Sequence, residues 1–180
     1  AHIEVDRLVA EDGMTNVPPF DHPAIVAGQG TIGLEIVADL PDVETVLVPL
    51  SGGGLVAGIA AAVKGLRPHA RVIAISMRRG AAMQASLAAG LPVEVEELPT
   101  FADSLGGGIG LGNAWTFAAV RSLVDEVVLL DEAEIAAGIR HAYAEEREIV
   151  EGGAAVGIAA LLAGKVRPNG PTLALLSGRN

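Results

Sequence analysis

The chain has 180 residues, enough for one domain with a sizeable core. Apolar residues make up 51% of it but aromatics only 3%, so the core must be built from small and β-branched side chains. A net charge of −10 argues against nucleic acid or an anionic membrane as a partner, and the lack of cysteine excludes disulfides and thiolate metal sites. No apolar run reaches membrane-spanning length without a glycine or a charge breaking it, and the opening Ala1–Arg7 is too charged for a signal peptide. The cytoplasm is therefore the expected compartment. The chain opens without methionine inside a helical pattern and stops at Asn180 just after an apolar strand, so both ends read as cut edges.

In chain order, Ile3 to Glu11 predicts a helix stopped by Gly13, and Pro18-Pro19 locks an extended stretch after it. Gly28-Gln29-Gly30-Thr31 is expected as a turn, with Gly30 or Thr31 capping a helix from Ile32 to Leu40. Val43 to Leu50 is a strand apolar on both faces, the pattern of a buried parallel sheet. A glycine loop, Ser51-Gly52-Gly53-Gly54, leads into a helix from Leu55 to Leu66. Arg71 to Ser76 is a second buried strand, and Ala81 to Ala89 an alanine-rich helix stopped by Gly90. Val93 to Leu98 alternates valine with glutamate and predicts a half-exposed edge strand. Thr100 to Gly112 is glycine-rich and irregular, and Ala114 to Leu123 is helical. Glu126 to Leu130 is a strand, and Asp131 with Glu134 forms a capping box for the following helix. Gly152-Gly153 interrupts before a helix from Ala154 to Ala163, and Pro171 to Leu176 is the last strand. Alternation at this spacing predicts an α/β fold, an open, mostly parallel twisted sheet with helices on both faces.

Ligands in such sheets bind outside the carboxyl ends of the strands. The glycine loop sits at one such end. Its backbone N–H groups and the following helix N-terminus make a cradle for an anion, which suits an acidic protein that must bind one with local dipoles. The bland alternative is a tight turn that binds nothing. There is no G-x-x-x-x-G-K-[ST], and Gly28-Gln29-Gly30-Thr31-Ile32-Gly33 matches a dinucleotide motif by letter only. A phosphate held by backbone alone suits a small phosphorylated cofactor.

Ser177 follows the last strand and either hydrogen-bonds a heteroaromatic nitrogen or starts a turn. Glu151 is either a pocket carboxylate or a solvated helix end. Asp103 and Ser104 precede Gly106-Gly107-Gly108, which can wrap a ligand or form a surface loop. The four histidines have no metal-ligand spacing, and no G-x-S-x-G hydrolase elbow occurs. Lys64 and Lys165, the two lysines, are expected as solvated surface residues.

Pro19-Phe20-Asp21 and Ile25-Val26-Ala27-Gly28-Gln29-Gly30-Thr31 resemble the pyridoxal-phosphate-dependent serine/threonine dehydratases. Ser51 to Leu55, Ala102-Asp103, Ile109-Gly110, Glu151 and Leu176-Ser177-Gly178 carry the same resemblance, in the family's order and spacing. Ser76-Met77-Arg78-Arg79-Gly80-Ala81-Ala82-Met83 is similar to the hydroxyectoine-utilisation branch. The resemblance implies the tryptophan synthase beta-like fold. Residues 1–180 would be its large, cofactor-phosphate domain, without most of the small domain.

The resemblance also implies roles. Ser51, Gly52, Gly53, Gly54 and Leu55 would cradle the phosphate of pyridoxal 5'-phosphate, and Ser177 would meet its pyridine nitrogen. Gly110 would lie beside the ring, Glu151 would line the pocket near it, and Phe20 would stand close to the substrate. The family's Schiff-base lysine belongs to a segment N-terminal to this region, so the chain alone is expected to be inactive. Its acidic cation ligands are replaced by Ser76, Gly80, Ala81 and Ala82, so no metal of that kind is expected. Arg179 stands where the family often has glycine. The implied reaction is β-elimination from a small hydroxy amino acid, by a homodimer or larger assembly when complete. A synthase performing β-replacement and a non-catalytic domain binding phosphorylated ligands are the alternatives.

Overall fold

Short parallel strands position everything else. The computed structural model describes residues 2–179. In it β1 (Thr45–Pro49), β2 (Arg71–Met77), β3 (Glu126–Leu130) and β4 (Thr172–Ala174) form one sheet in the order β3-β2-β1-β4. Each pairing is parallel, with Val48 opposite Ala74, Ile75 opposite Val128, and Val46 opposite Leu173. Parallel neighbours need crossovers, and helices supply them. The helices are α1 (His2–Asp12), α2 (Pro23–Asp39), α3 (Gly54–Leu66), α4 (Ala82–Ala89), α5 (Thr116–Leu123), α6 (Glu132–Ala144) and α7 (Gly152–Leu162).

The apolar strands β1 and β2 divide their side chains between two cores because successive residues point to opposite faces. Val46, Val48, Val72 and Ala74 pack against Val56, Ile59 and Val63 of α3, Ile36 of α2, Met83 of α4 and Phe117 of α5. Leu47, Ile73 and Ile75 pack on the other face against Ile135 of α6 and Val156 and Ala159 of α7. Each fully buried Leu or Ile contributes about 1.5–3 kcal/mol. The buried polar residues of these strands are Thr45 and Ser76, and the Ser76 hydroxyl donates to the Leu50 carbonyl at 2.8 Å.

Three local expectations are corrected. Gly28-Gln29-Gly30-Thr31 is not a turn but lies inside α2, which starts nine residues earlier than the predicted Ile32. His22 caps it, its Nδ1 accepting the Ala24 N–H at 3.2 Å, and Pro23 occupies the first turn. The glycines serve helix packing: a Cβ on Gly58 of α3 would stand 2.3 Å from the Val26 carbonyl oxygen and 2.6 Å from the Gly30 nitrogen. Residues 93–98 form no strand, because no neighbour offers a ladder. The alternation is still real, with Val93 and Val95 half-buried and Glu94 and Glu96 exposed. Gly152-Gly153 opens α7 instead of interrupting before it. The capping box is present as predicted, Asp131 accepting the Glu134 N–H while the Glu134 side chain accepts the Asp131 N–H.

The lysines also differ from expectation. Lys64 pairs with Asp125 at 2.6 Å, and Lys165 pairs with Glu134 at 2.6 Å while donating to the Leu129 carbonyl. Both tether elements of the sheet layer instead of extending freely into water. Among the described residues no helix is long and apolar enough to cross a membrane.

The topology places a crevice. From β1 the chain crosses through α3, on one face, to β2; it reaches β4, on the other side of β1, from α7 on the opposite face. The carboxyl end of β1 is thus a switch point, where such sheets bind ligands.

Candidate active site

At that end the chain leaves β1, and Leu50 donates to the Ile75 carbonyl before the glycine loop begins. Gly53 holds φ at +93°, a left-handed value that only glycine adopts without strain. Gly52 lies so close to Phe20 that a Cβ would meet the ring at 2.3 Å. No acceptor among the described residues takes the N–H groups of Gly52, Gly53, Gly54 or Leu55. Four free donors at a helix N-terminus favour an anion.

The loop walls a cavity of about 430 Å³. Phe20, Ser51, Gly52, Gly53, Gly54 and Leu55 line it, together with Ser104, Leu105, Glu151 and Ser177. Residues separated by more than a hundred positions therefore share one wall. Glu151 sits at the N-cap of α7 with its Oε2 buried, the one buried side-chain polar atom among the described residues that lacks a partner. A buried carboxylate oxygen in that state calls for a donor, which water or a ligand in the cavity can supply. The Glu151 N–H donates to the Gly178 carbonyl at 3.4 Å, tying the Ser177 segment to α7. The Ser51 hydroxyl reaches the Gly106 carbonyl at 3.4 Å.

Gly110 is not among the lining residues. It is solvent-exposed at φ +80°, and its carbonyl accepts the Asn113 N–H. Arg179 turns outward and pairs with Glu148. The exposed Asp103 carboxylate accepts the adjacent Ser104 N–H at 2.9 Å. A larger cavity, about 570 Å³, opens at the opposite edge of the sheet between Pro41 and Thr45 and between Leu66 and Arg71. It faces the amino ends of the strands and has no comparable set of free N–H groups.

Three residues that brace the glycine loop and the start of α5 carry no site signal of their own in the sequence. The Asp21 carboxylate accepts the N–H groups of Ala114, Trp115 and Thr116 at 2.7, 2.9 and 2.8 Å, capping α5 from a distant segment. Burial pushes the Asp21 carboxyl up, but those N–H donors outweigh it and hold the group below its ordinary value. Thr116, fully buried, donates from Oγ1 to the Gly52 carbonyl at 2.7 Å, and Asn113 donates from Nδ2 to that Oγ1 at 2.8 Å. The one available signal was Asp21, one residue after Phe20 in the resemblance; nothing local links it to Thr116, 95 residues away.

A parallel α/β sheet with free N–H groups at its switch point, facing a hydroxyl and an unpartnered buried carboxylate oxygen, is an arrangement that suits a small phosphorylated ligand. The profile of the pyridoxal-phosphate dependent enzyme family matches residues 1–178, and the chain belongs to that family. It is 65% identical over its whole length to a Sinorhizobium fredii protein with a provisional threonine dehydratase name, covering 54% of that protein. It is 44% identical over 94% of its length to the L-threonine ammonia-lyase of Geobacter sulfurreducens, covering 42% of it. Its fold superposes on the crystal structure of a threonine deaminase from T.th. with a TM-score of 0.87 and 35% identity, over 96% of this chain and 64% of that one. Maize serine racemase gives 0.86 and 30%, over 96% and 53%. The chain spans about half the length of the curated relatives it matches.

The residues present fit pyridoxal phosphate, the family's cofactor. The free N–H groups of the loop suit a phosphate, and the Ser177 hydroxyl and Glu151 Oε2 offer polar contacts elsewhere in the same cavity. Among the described residues no cluster of three His, Asp or Glu could hold a metal ion.

Proposed function

We propose that this chain is the cofactor-phosphate domain of a lyase that eliminates the β-hydroxyl of a small hydroxy amino acid, threonine or serine, as water, after which the enamine takes up water and releases ammonia and a keto acid. A hydroxyectoine-derived compound is the narrower substrate within the same reading, suggested by residues 76–83. The observation that carries the proposal is the convergence of Ser51 to Leu55, Glu151 and Ser177 on one cavity.

Pyridoxal phosphate, when bound, supplies an electron sink for the amino acid's Cα. The chain's own residues bind and orient it. The N–H groups of Gly52 to Leu55 hold the phosphate, with the N-terminal dipole of α3 behind them. Ser177 would offer the pyridine nitrogen a neutral hydroxyl in place of a charged partner, which would suit elimination over prolonged carbanion storage. Glu151, with one oxygen unpartnered and buried, accepts a proton-bearing group of the bound ligand. Phe20 packs over the loop and narrows the substrate side. Both lysines are committed to ion pairs outside the cavity lining, so the covalent attachment of the cofactor falls to a residue of the longer protein, and this chain alone is inactive. The reading also takes the complete protein to be cytoplasmic and a homodimer or larger. Phe101 and Trp115, more than half exposed, are the kind of surface that association would cover.

The test is product analysis with the longest natural chain that contains this sequence, loaded with pyridoxal phosphate. The expected result is one 2-oxobutanoate and one ammonia per threonine, or pyruvate and ammonia from serine. Failure to form a keto acid from either, or from a hydroxyectoine-derived amino acid, overturns the lyase reading.

A further inference from the structure

We propose that Thr116 is a positioning residue for the phosphate: it aims the Gly53 N–H into the cavity by holding the carbonyl of the same peptide. The inference rests on the reading of Ser51 to Leu55 as a phosphate cradle. A trans peptide is planar, and its C=O and N–H point in opposite directions. The described residues contain no cis bond. The Gly52 carbonyl and the Gly53 N–H belong to one such plane. The single Thr116 hydroxyl proton goes to the Gly52 oxygen at 2.7 Å, and no backbone N–H donates to that oxygen. Thr116 is fully buried and does not line the cavity, whereas Gly52 and Gly53 do. With the carbonyl turned towards Thr116, the N–H faces away from it, towards the cavity side.

Gly53 makes such a device necessary. At φ +93° a glycine has more backbone freedom than any other residue, so the plane before it must be held from outside. The hold is itself braced. Asn113 donates to the Thr116 oxygen at 2.8 Å and to the Ile109 carbonyl at 3.1 Å, fixing that oxygen beside the Gly52 carbonyl. Asp21 fixes the Thr116 backbone by accepting its N–H at 2.8 Å. On the other side of the loop Phe20, the neighbour of Asp21, packs on Gly52. Residues 20–21 and 113–116 therefore grip the loop from two sides.

The experiment uses the longest natural chain containing this sequence, stripped of cofactor. Equilibrium dialysis measures its affinity for pyridoxal 5'-phosphate and for pyridoxal, which lacks the phosphate. In the unaltered protein the phosphate ester binds far more tightly. Thr116→Val keeps the shape but removes the donor. It should weaken pyridoxal phosphate about ten- to hundredfold, the worth of a hydrogen bond to a charged group, and pyridoxal by less than about threefold. Thr116→Ser keeps the hydroxyl and should keep the phosphate preference within about threefold of the unaltered protein. Equal weakening of both ligands, unchanged phosphate binding in Thr116→Val, or loss of the preference in Thr116→Ser overturns the inference. Where the valine variant does not fold, the serine variant decides alone. An unaltered protein that binds both ligands equally refutes the cradle itself, a separate outcome.

Discussion

Gly52 and Asp21 show how single residues hold the glycine loop. A methyl group on Gly52 would lie 2.3–2.6 Å from three atoms of the Phe20 ring, so Gly52→Ala must push that ring aside. The variant should lose about 1–3 kcal/mol of stability, the usual cost of overpacking. Phe20→Ala removes the obstacle, so in the double variant the added penalty of the alanine should disappear; a coupling above about 1 kcal/mol in thermal unfolding would confirm the contact. Asp21 acts through charge. Its folded pKa lies below the unfolded value of about 3.9, so its stabilisation is fully present above that pH and fades as pH falls through the folded value. Asp21→Asn should therefore cost about 1–2 kcal/mol at neutral pH, as a lost helix cap does, and cost progressively less in acid below about pH 4. Urea titrations at several pH values check this; a pH-independent difference would contradict it.

Among the elements, the α2–α3 pair sets the tightest tolerance. Gly58 and Gly65 both lie in α3, yet their surroundings differ. A Cβ at Gly58 would run into backbone of α2, whereas one at Gly65 would meet nothing within 4 Å. Alanine gains about 1 kcal/mol of helix propensity at either position. At Gly65 that gain stands alone, and Gly65→Ala should raise stability by about 0.5–1 kcal/mol. At Gly58 the obstacle is main chain that cannot rotate away, so Gly58→Ala should destabilise by about 2 kcal/mol or more despite its better propensity. Denaturant midpoints of the two variants should move in opposite directions.

The same pair explains what was legible in the sequence. The buried strands, α3, the capping box of α6 and the glycine loop all carry local signals: apolar runs, Asp131 with Glu134, Ser51 to Gly54 after a strand. The first half of α2 is not legible locally because Gly28 and Gly30 lower helix propensity, and the packing that compensates comes from Gly58, distant in sequence. Residues 93–98 carried a strand's alternation without a strand's neighbour, and alternation alone builds no ladder. At the site, Ser51 to Leu55, Glu151 and Ser177 were named and lie together, while Thr116 and Asn113 were not, since a hydroxyl that meets a carbonyl 64 positions away leaves no local trace.

At the scale of the whole molecule, strand order does the placing. Because β1 lies between β2 and β4, with α3 on one face and α7 on the other, the glycine loop, the start of α7 and the end of β4 must meet at one rim. The protein's negative charge would repel an anionic cofactor, and the oriented N–H groups at that rim offset this locally. The most direct measurement is a crystal structure of the longest natural chain containing this sequence, with pyridoxal phosphate bound. The account predicts the phosphate on the N–H groups of Gly52 to Leu55 and the pyridine nitrogen against the Ser177 hydroxyl. A phosphate bound away from that loop, or a ring nitrogen that meets a charged side chain in place of Ser177, would contradict it.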